Sequence, residues 1–352
     1  MQQTMRMNQS VFFALAAAVL FGASTPLAKL LVSDVSPVLL GGLLYLGSGV
    51  GLSLFRTARD KGWAPSGIQR GEWPWLLGAI LFGGILGPVA LMFGLTRVSG
   101  SATSLMLNLE SVLTAVLAWV VFKENANKRT VLGMLAIVAG GVVLSWQPGN
   151  TGASSLMGLA AIALACFCWA IDNNLTRKVS AADAVFIASS KGLLAGIVNC
   201  TIAMTWGAEL PGLQTTLQAM TVGLLGYGLS LVFFVLALRG LGAARTGAYF
   251  STAPFVGSAI SLLLLGETAG AAFWMAGALM AIGVCLHLTE SHEHEHAHEP
   301  LAHAHAHTHD EHHQHPHDAG VGMTEPHVHW HRHAAINHKH PHYPDIHHQH
   351  SH

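Results

Sequence analysis

The first 286 residues of the chain contain no histidine, and all 24 histidines lie at or beyond His287. Charge is also scarce: Asp, Glu, Lys and Arg make up 10% of the sequence, whereas about a quarter is typical of soluble domains. Half of the 18 acids lie after Thr289, so long runs of Leu, Ala, Val and Gly before it are almost uncharged. These shortages exclude an ordinary soluble domain and divide the chain into an apolar body and a polar tail.

Several functional motifs are missing as well. The four cysteines form no CxxC pair and lie in apolar segments, so we interpret them as buried, inert thiols. No basic patch indicates nucleic acid as a partner, and no glycine-rich phosphate loop indicates an ATP-driven pump. No catalytic constellation is present, so we expect no enzyme and no required cofactor.

Ten apolar segments fill the body. Apolar stretches of about 18 or more residues indicate transmembrane helices, and a soluble domain cannot bury a whole series of them. The sequence therefore predicts an all-α membrane protein with ten transmembrane helices, the first of them uncleaved. The predicted spans are 10–32, 37–55, 73–95, 100–122, 130–147, 156–176, 184–206, 217–238, 243–265 and 270–288.

Basic residues are concentrated in alternate links between these spans. With the N-terminus inside, the inner link after the second span carries Arg56, Arg59, Lys61 and Arg70, whereas the outer links carry Arg97 and little else. Positively charged short loops stay in the cytoplasm. We therefore predict a multi-pass protein in the lipid bilayer of a bacterial-type inner membrane, with both termini cytoplasmic. A homodimer remains open.

The two halves of the body resemble each other. Residues 117–125 (Leu-Ala-Trp-Val-Val-Phe-Lys-Glu-Asn) align with residues 260–268, which matches Glu124 with Glu267 at an offset of 143. Because each half has an odd number of spans, the second half must enter the membrane from the opposite face. Inverted repeats around a midplane site are typical of secondary transporters. The predicted organisation is two inverted five-helix repeats and a disordered tail: 1–148, 152–288 and 289–352.

Two further segments occupy corresponding places near the start of each half. They are 20–29, Leu-Phe-Gly-Ala-Ser-Thr-Pro-Leu-Ala-Lys, and 168–178, Cys-Trp-Ala-Ile-Asp-Asn-Asn-Leu-Thr-Arg-Lys. With the two glutamates that follow spans four and nine, they resemble the drug/metabolite transporter superfamily and its EamA-type ten-helix permeases. The resemblance covers residues 10–288 and excludes the tail. It implies solute transport without ATP, often export, and makes Lys29 and Arg177 counterparts near opposite membrane faces.

Charged and amide side chains inside the spans are the candidate site residues. A charge at the centre of a transmembrane helix costs about 2.5–3.5 kcal/mol and tends to face a cavity or a partner. We predict that Glu110 and Asp172 line a translocation path, with Glu110 as a proton or cation site. The alternative is an ion pair of either acid with Lys191 that only fixes packing. The remaining candidates are Asn108, Asn173 and Asn174.

Three prolines lie inside predicted spans. Proline removes a backbone donor and frees a carbonyl group, which a membrane protein tolerates where a cavity or a neighbouring helix satisfies that group. We interpret these prolines as hinge candidates, with ordinary kinks as the alternative. They are Pro26, Pro88 and Pro254.

The tail alternates histidine with Glu or Ala and has few apolar residues, so no packed core is expected there. Neutral imidazole binds Zn, Ni, Co and Cu, and alternating histidines predict several exchangeable sites for a divalent transition metal. A neutral low-complexity tail is the alternative. The candidate ligands are His292, His294, His296, His298, His303, His305, His307, His309, His312, His313, His327, His329, His331 and His333.

Three functions remain open at this point. One is export of a small solute, a metabolite or an amino-acid-like molecule, with H+ as the coupling ion and a regulatory tail. Another is export of a metal ion or metal chelate that the tail gathers. The third is a membrane-anchored metal buffer or sensor. The spans lack histidine, which disfavours a bare-ion path, and the inverted repeat disfavours a simple anchor.

Overall fold

The computed structural model describes residues 2–62, 65–122, 128–145, 153–180 and 182–288 of the body and four stretches of the tail. Regular structure in these residues of the body is helical. The α-helices are α1 (Gln2–Leu31), α2 (Pro37–Arg59), α3 (Trp73–Ala79), α4 (Gly87–Leu95), α5 (Gly100–Met106), α6 (Leu109–Phe122), α7 (Lys128–Ser145), α8 (Ala153–Val179), α9 (Ala184–Thr205), α10 (Leu213–Gly223), α11 (Ser230–Phe250), α12 (Ala253–Leu264) and α13 (Ala271–Leu288).

These helices follow the ten predicted spans and confirm an all-α membrane protein. Seven helical stretches of the described body are long and apolar enough to cross a membrane. Three shorter apolar helices, Val131–Leu144, Ala253–Leu264 and Ala271–Leu286, occupy the fifth, ninth and tenth predicted spans. Helices are expected in such segments because lipid offers no hydrogen-bond partner for backbone N–H and C=O groups. These groups must therefore form hydrogen bonds within their own segment. Glu124 and the predicted boundary between the repeats lie outside the described residues.

Spans three and eight each contain a π-helical turn. Ile80–Leu86 joins α3 to α4, and Leu224–Leu229 joins α10 to α11. These turns are 143 or 144 residues apart, which is the offset of the sequence repeat. A π-turn interrupts the regular i→i−4 ladder and is frequent at functional sites. The two repeats therefore share an irregularity as well as a helix order.

Two predicted spans differ in detail from the structure. The fourth is broken at Leu107 and Asn108, between α5 and α6. The predicted link at 239–242 is helical, because α11 runs from Ser230 to Phe250 and the chain breaks later, before α12. The alanines after that link favour helix, whereas Pro254 suits the first turn of a new helix.

The two repeats pack against each other through equivalent helices, since the first helix of each repeat contacts helices of the other repeat. α1 packs on α11 and α12, and its counterpart α8 packs on α4 and α6. At the centre α2 crosses α9 so closely that a Cβ atom at Gly196 would lie 2.7 Å from the Cα of Leu46. Small residues dominate such crossings because helices in lipid associate through close packing rather than through hydrophobic burial.

The described tail residues form extended strands. β1 (His292–His298) pairs antiparallel with β4 (Ile336–His342), and β2 (Leu301–His307) pairs antiparallel with β3 (His327–His333). We expected irregular chain here, but alternation of histidine with other residues has the two-residue period of a strand. An isolated pair of strands is only marginally stable in water. The expectation that the tail has no packed core therefore stays a prediction. His309, His312 and His313 lie outside the described residues.

A charged cluster joins α2 to α9 at the face predicted to be cytoplasmic. Asp183 caps α9 by accepting a hydrogen bond from the Val185 amide, 3.0 Å away. Its carboxylate also accepts hydrogen bonds from Arg56 Nε at 3.0 Å and Arg59 Nη2 at 2.6 Å. Burial opposes the charged form of Asp183, but these hydrogen bonds together outweigh it and hold its pKa below the usual value of 3.8.

We expect Asp183→Ala to destabilise the protein by about 1 kcal/mol, the usual cost of losing a helix cap. Asp183→Asn keeps a capping oxygen and should cost less at neutral pH. Because the folded pKa is depressed, the charge of Asp183 stabilises the fold above the unfolded pKa, and that stabilisation is lost as the pH falls through the folded pKa. Thermal unfolding in detergent from pH 7 to pH 3 should show wild type and Asp183→Asn converging below about pH 4. A gap that is constant across this range would contradict the assignment.

Candidate functional site

A buried ion pair links α8 to α9 beside the π-turn of span three, on which both helices pack. Lys191 Nζ donates hydrogen bonds to Asp172 Oδ1 and Oδ2, at 2.6 Å and 2.7 Å. Thr176 Oγ1 donates to Asp172 Oδ1 at 2.8 Å, one helical turn along α8. Asp172 is 6% exposed and Lys191 is 4% exposed. The structure thus brings together two of the predicted residues, which lie 19 positions apart in the sequence.

The π-turn of span three presses against this ion pair. Gly83 lies so close to the Asp172 carboxyl group that a Cβ atom would overlap it. The Gly83 carbonyl accepts hydrogen bonds from Tyr45 Oη at 2.7 Å and from Trp169 Nε1 at 3.0 Å. Asn199 Nδ2 donates to the next carbonyl, that of Gly84, at 3.1 Å. Side chains from α2, α8 and α9 therefore satisfy the carbonyls of the π-turn and lock it against Asp172.

Glu110 lies beside this group but does not join the ion pair. Its Oε1 accepts a hydrogen bond from Asn173 Nδ2 at 2.7 Å, and Asn173 directly follows Asp172 on α8. The Glu110 side chain is partly exposed, whereas Asp172 and Lys191 are enclosed. Glu110 is the second residue of α6, just after the break at Leu107 and Asn108. A carboxylate in the middle of a span, next to a buried ion pair, is placed to exchange a proton or to meet a charged solute.

The remaining amide candidates have structural partners. Asn174 Nδ2 donates to the carbonyls of Ala170 at 2.9 Å and Thr114 at 3.4 Å, so this side chain ties α8 to α6. Asn108 Nδ2 donates to the Leu105 carbonyl at 3.0 Å, across the break in span four. Its Oδ1 is buried without a hydrogen-bond partner among the described residues. Asn108 therefore retains a buried acceptor for water or solute.

An aromatic cluster adjoins the ion pair. The Phe21 ring contacts Trp169, Tyr227 and Phe250 at centroid distances of 5.8, 5.9 and 5.4 Å. The Tyr227 ring, in the π-turn of span eight, packs against Tyr45 in a tilted arrangement with a centroid distance of 5.2 Å. Its buried hydroxyl has no hydrogen-bond partner within the described chain. Our sequence reasoning missed this cluster; the one available signal was the alignment of Phe21 with Trp169 at corresponding places in the two repeats.

The hinge candidates lie in three different settings. Pro26 is inside the continuous helix α1. Pro88 is in the first turn of α4, immediately after the π-turn, and Pro254 is in the first turn of α12, immediately after the break at Ser251 and Thr252. Proline is well tolerated in a first turn, where its missing donor would be unpaired anyway. The structure therefore assigns Pro88 and Pro254 to junctions between helical segments; hinge motion at any of the three stays a prediction.

An apolar cavity lies away from this polar site. It has a volume of about 480 Å³ and lies between the ends of α2, α4 and α9, with Val38, Phe93 and Trp206 among its lining residues. No charged side chain lines it. Within the described residues no group of three or more His, Cys, Asp or Glu side chains is arranged to hold a metal ion. Metal binding by the tail histidines stays a prediction.

Known proteins share both the sequence pattern and the fold. A transporter of Methanothermobacter thermautotrophicus, named only as uncharacterized, is 26% identical over 284 residues, which cover 76% of this chain and 82% of that protein. The uncharacterized transporter YyaM of Bacillus subtilis is 24% identical over 286 residues, covering 76% and 91%. A solved crystal structure with 19% sequence identity matches 79% of this chain and 94% of its own with a TM-score of 0.60, which establishes the fold alone.

A shorter relative matches a single stretch of the chain. It is the probable 4-amino-4-deoxy-L-arabinose-phosphoundecaprenol flippase subunit ArnE of Pseudomonas paraeruginosa, 34% identical over 113 residues that cover 32% of this chain and 94% of that protein. The profile of the EamA-like transporter family matches twice, at residues 8–146 and 156–289. These matches confirm the resemblance seen in the sequence, and the chain belongs to the EamA-like transporter family.

Proposed function

We propose that this protein is a secondary transporter that exports a small metabolite or amino-acid-like solute, coupled to H+, along a path between its two inverted repeats. One observation carries the proposal: an enclosed Asp172–Lys191 ion pair and the partly exposed residue Glu110 lie side by side within membrane spans. Inverted repeats of this kind bind solute near the midplane and alternate by rocking.

Energetics support a functional reading of these charges. Each charged group costs about 2.5–3.5 kcal/mol at the centre of a span, and well-packed apolar residues of similar volume would stabilise a buried site as well as an ion pair does. Packing alone therefore gives little reason to keep Asp172 and Lys191. A zwitterionic solute could pair its amino group with Asp172 and its carboxylate with Lys191, which offers one reason to keep both.

The orientation follows from the basic links. Arg56 and Arg59 mark the cytoplasmic face under the positive-inside rule, and an even number of spans returns the C-terminus to the same side. We therefore propose an inner-membrane protein with its tail in the cytoplasm. A homodimer also stays a prediction.

The tail is proposed to bind divalent Zn, Ni, Co or Cu. The strand register places histidine opposite histidine three times in each pair, for example His294 opposite His340 and His305 opposite His329. Directly opposed residues in an antiparallel pair lie about 4.5–5.5 Å apart at Cβ, and imidazole is a ligand for these metals. Such opposition supports metal binding as a regulatory input. Export of a metal ion or metal chelate is the alternative function. The histidine-rich tail is the feature that favours this alternative.

Growth of a strain that lacks this transporter tests the proposal. Sensitivity to Ni, Co, Zn, Cu and a panel of amino acids would be compared after complementation with the full chain or with a version ending at Leu288. Solute export predicts that both versions restore tolerance to one amino acid or metabolite. Restored metal tolerance that needs the full chain would instead favour metal export, and failure of both versions on every solute would contradict export of this class.

Glu110 provides a separate test of proton coupling. We expect Glu110→Gln to abolish the pH dependence of transport and to lower its rate by about a hundredfold or more, the contribution typical of positioned proton-transfer groups. Glu110→Asp, which keeps an ionisable group, is the matched control and should retain pH dependence. The measurement is solute-driven current across proteoliposomes between pH 5.5 and pH 8.5. A Glu110→Gln variant with the wild-type pH profile would remove Glu110 from the coupling step.

A further inference from the structure

Glu267 connects the two repeats at the face predicted to be extracellular. This residue follows α12 in the second repeat, yet its Oε1 accepts a hydrogen bond from the Gly100 amide at 2.7 Å and its Oε2 accepts one from the Ser101 amide at 2.9 Å. Gly100 and Ser101 begin α5 in the first repeat. One carboxylate therefore holds two backbone amides that lie more than 160 residues away in the sequence.

Lys29 holds the same link from the other side. Its Nζ donates hydrogen bonds to the carbonyls of Leu95 and Val98, which end α4 and precede α5. The link 95–101 is thus fastened by a cation on α1 and by an anion that follows α12. Both groups are among the few charges at this end of the body.

The helices behind this link are packed without space for a path. Ser258 Oγ on α12 donates to the Ser101 carbonyl at 3.1 Å. A Cβ atom at Gly257 would lie 2.7 Å from Ser104 Oγ, one turn deeper along α5. Ser104 is fully buried. A solute moving between the repeats toward this face would have to separate α5 from α12, and that separation breaks the hydrogen bonds of Glu267.

The repeat supplies a counterpart at the other face. The offset of 143 pairs Glu267 with Glu124 and Ser101 with Ala244, and Lys29 matches Arg177 in the alignment of the two half-starts. Glu124 lies outside the described residues. The sequence repeat alone therefore predicts one carboxylate and one cation at equivalent positions near each membrane face.

We propose that Glu267 and Lys29 are positioning residues that hold the extracellular end of the transport path closed, and that opening to this side breaks the Glu267 hydrogen bonds to Gly100 and Ser101. The inference rests on the transporter assignment and on the proposed orientation, but not on the identity of the solute or on the tail.

Cysteine accessibility tests this proposal. Ser104→Cys would be introduced into the full chain with its four native cysteines replaced by alanine, and its reaction with a membrane-impermeant maleimide would be timed in right-side-out and inverted vesicles. We expect slow labelling from outside in this background. Adding Glu267→Gln should accelerate external labelling about tenfold, the population shift expected when one charge-assisted hydrogen bond is lost. Lys29→Gln should act in the same direction.

Glu209→Gln is the matched control. Glu209 is an exposed glutamate that follows α9 at the same predicted face, so its substitution should leave labelling unchanged. If Glu267→Gln does not yield a monodisperse protein, Lys29→Gln carries the test. Wild-type labelling rates in both variants would overturn the closure, and acceleration only in inverted vesicles would overturn its extracellular placement. The labelling uses no solute, so failure here is distinguishable from failure of the proposed export.

Discussion

Replacing Lys191 by methionine should destabilise the protein by about 3–5 kcal/mol, the cost of leaving a buried charge without its partner. Lys191 supplies the cation for Asp172, bonding both carboxylate oxygens, and Asp172 is only 6% exposed. Thr176 is then the one remaining hydrogen-bond donor to that carboxylate within the described chain. Denaturant unfolding of the purified full chain in detergent measures the loss.

The double variant Asp172→Asn, Lys191→Met is the decisive comparison. Removing both charges removes the unpaired group, so the double variant should recover most of the stability that the single variant loses. A double variant as unstable as Lys191→Met would show that the charges do not interact as the structure places them.

Transport by the same double variant separates the two readings of the ion pair. A pair that only fixes packing should be replaceable, so a folded double variant would then transport at the wild-type rate. A pair that meets the solute should be irreplaceable, so the double variant would fold and fail to transport. We expect the second outcome, because packing alone gives little reason to keep two buried charges inside the spans.

Gly192→Ala should destabilise the body by about 1–3 kcal/mol, the usual cost of overpacking a core. A Cβ atom at Gly192 would lie 2.6 Å from the Cα of Gly49 and 2.8 Å from the Tyr45 carbonyl oxygen. Backbone atoms cannot turn aside as a flexible side chain can, so α2 and α9 must separate. Lys191 precedes this residue on α9, and transport should therefore fall together with stability.

Gly247→Ala is the matched control for that substitution. Gly247 also lies inside a helix, α11, but nothing lies within 4 Å of a Cβ atom built there. Alanine favours helix over glycine by about 1 kcal/mol, so this variant should be neutral or slightly more stable. Equal destabilisation by Gly192→Ala and Gly247→Ala, measured by thermal unfolding in detergent, would contradict the close crossing of α2 and α9.

Much of the architecture could be predicted because it depends on local composition. Apolar runs long enough to span a bilayer predict helices wherever they occur, and an odd number of spans in each repeat forces the second repeat to invert. The alternation of histidine in the tail likewise has the period of a strand, although we expected irregular chain there. The π-turns at Ile80–Leu86 and Leu224–Leu229 have no such local signal, since their residues suit an ordinary helix equally well.

The candidate site shows where sequence reasoning ends. Composition alone identifies Glu110, Asp172 and Lys191 as exceptional, because a charge within an apolar span is costly whatever its surroundings. The packing of the helices is what pairs Lys191 with Asp172 and Glu110 with Asn173. The same packing brings the Glu267 carboxylate to the amides of Gly100 and Ser101. Pairing depends on how two helices rotate and cross, and that geometry is set by glycine contacts between segments far apart in the chain.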